Sequence, residues 1–213
     1  MLTLLVPPTT DPAAVHPALA DHQADMIRRC RYLGPSVQRG LTGWSAYHAD
    51  PGDQPDLFAL LVHQAEELRT ARREAGPLVC RNIAIAGPTT NDAARRLMDW
   101  PAWLARNLYA PVQLMVGRFW VGVRLDDSKG EPMMPPPVSF FSLRAAVPHR
   151  EGLFLSAKLP DIMAVLAASP DDDGRDVFTG PLGRPVDDPA SAYRELIAAF
   201  PNPRAEATLI HRT

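Results

Sequence analysis

Between Asp56 and Gly76 the residues Leu57, Leu60, Leu61, Ala65 and Leu68 fall at helical spacing, behind an aspartate suited to an N-cap and ahead of a Gly76-Pro77 stop. That pattern predicts a helix. A second predicted helix carries Ala94, Leu97, Met98, Trp103, Leu104 and Leu108 behind a Thr90 or Asn91 cap. Pro101 falls inside it and predicts a kink or a break after Trp100. Shorter helices are predicted from Asp21 to Leu33, ended by Gly34-Pro35, from Asp161 to Ala168 behind Pro160, and from Pro189 to Phe200.

Alternating and β-branched runs mark the strands. Leu41–Tyr47 and Leu78–Ala86 read as strands, the second closed by Gly87-Pro88. Val112–Leu125 is the strongest β signal in the chain and Val138–Val147 the next, joined by an acidic and then proline-rich stretch from Asp126 to Pro137. The tail offers a short edge strand at Ala207–His211. Residues 1–20 hold several prolines and no periodicity, and read as an N-terminal arm. Two strands without an intervening helix favour an antiparallel pair. The order therefore predicts one α+β domain over residues 21–213, with a mixed, mainly antiparallel sheet and helices packed on one face.

Composition adds limits. The 213 residues are 46% hydrophobic and 22% charged, enough for a sizeable core. The 23 prolines, about twice ordinary usage, argue for many ordered turns. The formal net charge is −2 and no basic stripe stands out, which gives no footprint for nucleic acid. No apolar run approaches the ~20 residues that span a bilayer, and the N-terminus lacks the charged and cleavage regions of a signal peptide. Cys30 and Cys80 stand far apart and read as reduced thiols, which suits a cytoplasmic protein.

Candidate chemistry concentrates on the two long strands. Alternation puts Met115, Gly117 and Phe119 on one face, read as the core side, and Arg118, Trp120 and Arg124 on the other. A hairpin centred near Glu131 would set Trp120 opposite Ser142, and Arg118 opposite Arg144. Like charges opposed in a ladder are destabilising. An anion between the guanidiniums, a carboxylate or phosphate held in bidentate fashion, would relieve them, and Trp120 could stack on it. Arg118, Trp120, Ser142 and Arg144 are therefore the expected binding residues for a small anionic ligand. His149, just past the second strand, is the candidate catalytic base. The alternative is a solvated face whose arginines are held by the protein's own acids.

Weaker patterns are read structurally. His48, Asp50 and Asp53 have metal-compatible types but sit in a turn-forming Asp/Gly/Pro loop. Gly87 to Asn91 has the strand-to-helix context of a phosphate site without its glycine-rich loop or lysine, and reads as a capped turn. The histidines show no HExxH or HxH spacing, so no metal site is assigned and no cofactor is identified.

The string PVQLMVGRFW from Pro111 and the string PPPVSFFSLRAAVPHREGLFL from Pro135 resemble the domain of unknown function 6875 family. The likeness in element order runs from Gly34-Pro35 to Leu155. Two positions depart: Trp120 stands where the family tends to carry His, and Ser36-Val37 where it tends to carry Cys. The resemblance implies a bacterial or fungal setting, in some cases beside natural-product biosynthesis genes, and no reaction. Three functions are open on the sequence: a small-molecule enzyme or binding protein for a carboxylate-bearing substrate; a non-catalytic protein partner or homo-oligomer docking through Met133 to Pro137; and a haem- or metal-dependent oxygenase.

Overall fold

A computed structural model describes residues 2–88, 90–127, 130–146, 160–169 and 171–202. Its centre is a five-stranded sheet of β1 (Thr3–Thr9), β2 (Thr42–His48), β3 (Cys80–Ala86), β4 (Leu114–Phe119) and β5 (Ser139–Ala145), in the order β1-β2-β3-β5-β4. Only β2 and β3 run parallel; the other neighbours are antiparallel. The helices are α1 (Leu19–Arg29), α2 (Leu33–Gln38), α3 (Gln54–Ala75), α4 (Asn91–Tyr109), α5 (Pro160–Ala168), α6 (Thr179–Leu182) and α7 (Pro189–Ala199). The chain is a single α+β domain with a mixed, mainly antiparallel sheet.

One face of the sheet carries the main helical layer. Ile83, Ile85, Leu114, Val116, Phe141 and Leu143 meet Leu57, Phe58, Leu61 and Leu68 of α3, Leu97, Met98 and Leu104 of α4, and Leu196 of α7. Most of these are fully buried, each contributing about 1.5–3 kcal/mol of burial. The opposite face is smaller and different: Leu19 of α1 packs there on Trp44, Ala46, Ala84 and Phe140.

Local chemistry moves several expected boundaries. The segment read as an arm forms β1, which pairs with β2 from Thr3 opposite His48 to Thr9 opposite Trp44, through two irregularities. Pro7 and Pro8 suit an edge strand, which does not need every N–H. Helix α3 starts before Asp56, with Pro55 in its first turn, where a missing N–H costs nothing. Gly76, at φ 86°, ends it. The first helix stops at Arg29, and Gly34-Pro35 opens α2 instead of closing α1. Helix α4 runs unbroken through Pro101, whose ring is buried in the core, and Thr90 Oγ1 caps it by accepting from Ala93 N–H at 3.2 Å.

The long strand is the larger correction. It ends at Phe119, because Val123 N–H bonds Trp120 C=O at 3.0 Å with Gly122 at φ 81°, a turn that needs positive φ at its third residue. A side chain at Gly122 would also strike the Asn91 amide, its Cβ falling 2.1 Å from Nδ2. Asp126 is then bridged to Pro132, and Met133 N–H bonds Leu125 C=O at 2.8 Å. The proposed tail strand lies outside the described residues.

Candidate functional site

Because β4 and β5 are not joined by one simple hairpin, their register differs from the expected one. Arg118 stands opposite Phe141, and Arg144 opposite Met115. The displacement is three residues, from Arg144 to Phe141, and an odd displacement moves side chains to opposite faces. Arg118 lies on the side of α3 and α4, in an ion pair with Asp99 and with its guanidinium 5.2 Å from the Trp120 ring centroid. Trp120 packs against the main core. Arg144 and Ser142 lie on the other face, beside Phe140. The face assignment within β4 is reversed as well: Leu114 and Val116 enter the main core, whereas Met115 and Phe119 line the far side. No anion can therefore bridge Arg118 and Arg144. His149 lies outside the described residues.

Ser142 and Arg144 instead line a cavity of about 230 Å³ on the second face. Its floor is the row Trp44, Cys80, Asn82, Phe140 and Ser142 from β2, β3 and β5. Its roof is α1 and α2, and Met133 closes one side. Register fixes its long direction. Phe140 pairs with Ala84, Ser142 with Asn82 and Arg144 with Cys80, so Phe140 and Arg144 are about 13 Å apart along β5. His22, Met26 and Cys30 follow at intervals of four on one side of α1 and span about 12 Å. His22 packs edge-on to Phe140 with ring centroids 5.8 Å apart, while Cys30 lies within electrostatic reach of Cys80. The helix thus runs over the floor from Phe140 towards Cys80 and Arg144.

The walls are apolar, and several polar groups in them already have partners. Trp44 Nε1–H donates to Gln23 Oε1 at 2.9 Å, and the Ser36 and Thr42 hydroxyls bond at 2.6 Å. Arg144 Nη1 donates to Ala145 C=O at 3.0 Å. Cys80 contacts Asn82 Oδ1 at 3.8 Å and Ser142 Oγ at 3.7 Å, and burial pushes its thiol above the ordinary range. Both cysteines are free thiols.

His22 and Tyr32 differ. His22 is 3% exposed, and neither ring nitrogen has a hydrogen-bond partner among the described residues; the same holds for the Tyr32 hydroxyl. Both side chains line the cavity. On the other face, the Arg118 guanidinium is ion-paired with Asp99. An unmet buried polar atom costs roughly 1–3 kcal/mol. Three such atoms, the two His22 ring nitrogens and the Tyr32 hydroxyl, belong to side chains that line this one cavity. Burial holds His22 below its ordinary pKa of 6.5, against the opposing pull of Asp25 and of the Met134 and Pro135 backbone. Its ring is neutral near pH 7.

A second network holds the side wall. Asp25, 4% exposed, accepts from Arg28 at 2.6 Å, Arg29 at 3.0 Å and Met134 N–H at 3.2 Å. Arg29 reaches on to Asp127 at 3.0 Å. Burial would raise the Asp25 pKa, but the Met134 N–H and then Arg29 and Arg28 hold it below the ordinary carboxylate value. The proline-rich loop is thus joined to α1 through Met134 N–H, with Met133 lining the cavity and the Met134 side chain exposed.

Elsewhere, the patterns resolve structurally. Asp53 Oδ2 accepts from Asp50 N–H at 3.0 Å, and no group of three or more metal-ligating side chains of His, Cys, Asp or Glu gathers among the described residues. A Cβ on Gly87 would fall 2.2 Å from Ala49 C=O, which accounts for that glycine without a phosphate. No described helix is long and apolar enough to cross a membrane. His22 and Tyr32 were not singled out in the sequence; the signal available was a histidine at a core-facing position of α1, spaced with Met26 and Cys30. No family model, curated protein or solved structure matches the chain.

Proposed function

We propose that this protein binds a small carboxylate-bearing molecule in the cavity between α1 and the sheet, as a ligand-binding protein or as an enzyme acting on that molecule. The carrying observation is the convergence of the buried His22 ring and the buried Tyr32 hydroxyl, both unmet, on one apolar cavity that Arg144 and Ser142 also line. Arg144 supplies the positive charge that a carboxylate needs, and Ser142 a hydroxyl donor beside it. Trp44, Phe119 and Phe140 supply flat apolar wall. A cavity of about 150 Å³ accommodates benzene, so one of this size suits a molecule of about ten non-hydrogen atoms. The resemblance in the β4 and β5 strings to the domain of unknown function 6875 family adds a natural-product setting to this reading.

Calorimetric titration of the intact protein with 3-phenylpropanoate and with its amide tests it. The acid is expected to bind and the amide to bind at least tenfold more weakly, and Arg144→Met is expected to erase that difference while keeping the melting temperature within a few degrees. Equal affinity for acid and amide, or no binding by either, would overturn the proposal.

A further inference from the structure

Resting on that reading, we infer that the ligand carries a second polar group, a hydroxyl or carbonyl at the end remote from its carboxylate, and that His22 reads it. The two polar stations stand at opposite ends of the cavity. Arg144 shares its rung of the sheet with Cys80, and His22 packs on Phe140, about 13 Å away along β5. Met26 and Trp44, with the Ser142–Asn82 rung, lie between them. A molecule with only a carboxylate would leave both nitrogens of His22 without a hydrogen bond. A molecule with a hydrogen-bonding group at its far end satisfies one of them and gains the difference.

His22 is suited to either kind of group. A neutral imidazole offers one donor and one acceptor, so it accepts from a ligand hydroxyl or donates to a carbonyl by choice of tautomer. No group among the described residues meets either nitrogen with a hydrogen bond, although the Met134 and Pro135 main chain lies beside the ring, so a ligand hydrogen bond sets the tautomer. Tyr32, between α1 and α2, lines the same cavity with a hydroxyl that is also unmet.

Matched acids test this on the intact protein: 3-(4-hydroxyphenyl)propanoate against 3-phenylpropanoate, by calorimetry, with His22→Phe as the variant. The hydroxylated acid is expected to bind about tenfold more tightly to the unmodified protein, as one buried hydrogen bond implies. In His22→Phe that preference is expected to fall below twofold with the simpler acid still bound. Equal binding of the two acids by the unmodified protein, or a preference that survives in His22→Phe, overturns the inference while leaving the carboxylate site standing. Binding of neither acid overturns both. If His22→Phe does not fold, nitrogen NMR of the unmodified protein decides: the His22 ring resonances are expected to move with the hydroxylated acid and stay with the other, and identical responses refute the role.

Discussion

Asp25 Oδ2 accepts the main-chain N–H of Met134 at 3.2 Å, and this bond fastens the proline-rich strap to the helix that roofs the cavity. The same carboxylate anchors Arg28 and Arg29, and through Arg29 reaches Asp127 at the root of the strap's loop. One buried acid therefore joins the roof and the side wall of the site.

Removing that acid should loosen the wall without emptying the floor. Asp25→Ala is expected to speed hydrogen exchange at the Met134 amide tenfold or more and to shorten probe residence, with the sheet amides of β3 and β5 unchanged. The pH dependence has a fixed sign. The folded pKa of Asp25 lies below its ordinary value of 3.8, so its contribution is present above that pH and is lost as the pH falls through the folded value. Exchange at Met134 measured down an acid series checks this; a flat response counts against the clamp.

His22 titrates in the opposite range. Its ring is neutral in the fold and takes up a proton on unfolding below pH 6.5, so stability is full above 6.5 and falls as the pH drops towards the lower folded value. The slope from this one group is at most about 1.4 kcal/mol per pH unit. Asp25 on the same helix is the carboxylate that opposes the effect. Urea melts at about pH 7.5 and pH 5.5, compared between the unmodified protein and His22→Phe, should show the smaller loss in the variant. Equal losses would contradict a neutral buried ring.

Arg118 makes a control. It pairs with Asp99 on the α4 side of the sheet, away from the cavity. Arg118→Ala is expected to leave carboxylate binding within twofold and to lower stability modestly by removing one of the two arginines paired with Asp99, the other being Arg95 at 3.4 Å. A large loss of binding would restore the discarded register.

Arg69 makes a second control. It is 3% exposed and grips Asp172 through two bonds of 2.6 and 2.8 Å, with Glu66 at 3.0 Å and the Arg175 carbonyl at 2.9 Å completing its partners. Asp172→Ala leaves a buried guanidinium short of its main partner, and is expected to cost about 3–5 kcal/mol of unfolding free energy with ligand affinity unchanged. Chemical denaturation and calorimetry on the same variant check both halves.

Much of the architecture was legible because local signals and packing agreed. The apolar spacing of Leu57, Leu61, Ala65 and Leu68 gave α3, and the alternating run ending at Ala86 gave β3. Failures came where one short-range pattern hid another. The run VGV at residues 121–123 continues a strand by composition, yet Gly122 makes the turn that ends β4. That turn changed the register of β4 on β5 and sent Arg118 and Arg144 to opposite faces. Pro101 failed as a helix breaker because its ring is taken up by the core, and Pro7-Pro8 failed as a loop signal because an edge strand tolerates them. Ser142 and Arg144 reached the cavity since alternation along β5 does not depend on register. His22 and Tyr32 stayed hidden, because whether a polar side chain in a helix finds a partner depends on tertiary contacts that spacing cannot express.

Soaking crystals of the protein with 3-(4-hydroxyphenyl)propanoate tests the central claim most directly. Difference density is expected between α1 and the β3–β5 floor, with the carboxylate against Arg144 and Ser142 and the phenol oxygen within hydrogen-bond distance of a His22 ring nitrogen. A cavity filled only by ordered water that bonds His22 and Tyr32, with the acid bound elsewhere or not at all, would contradict it.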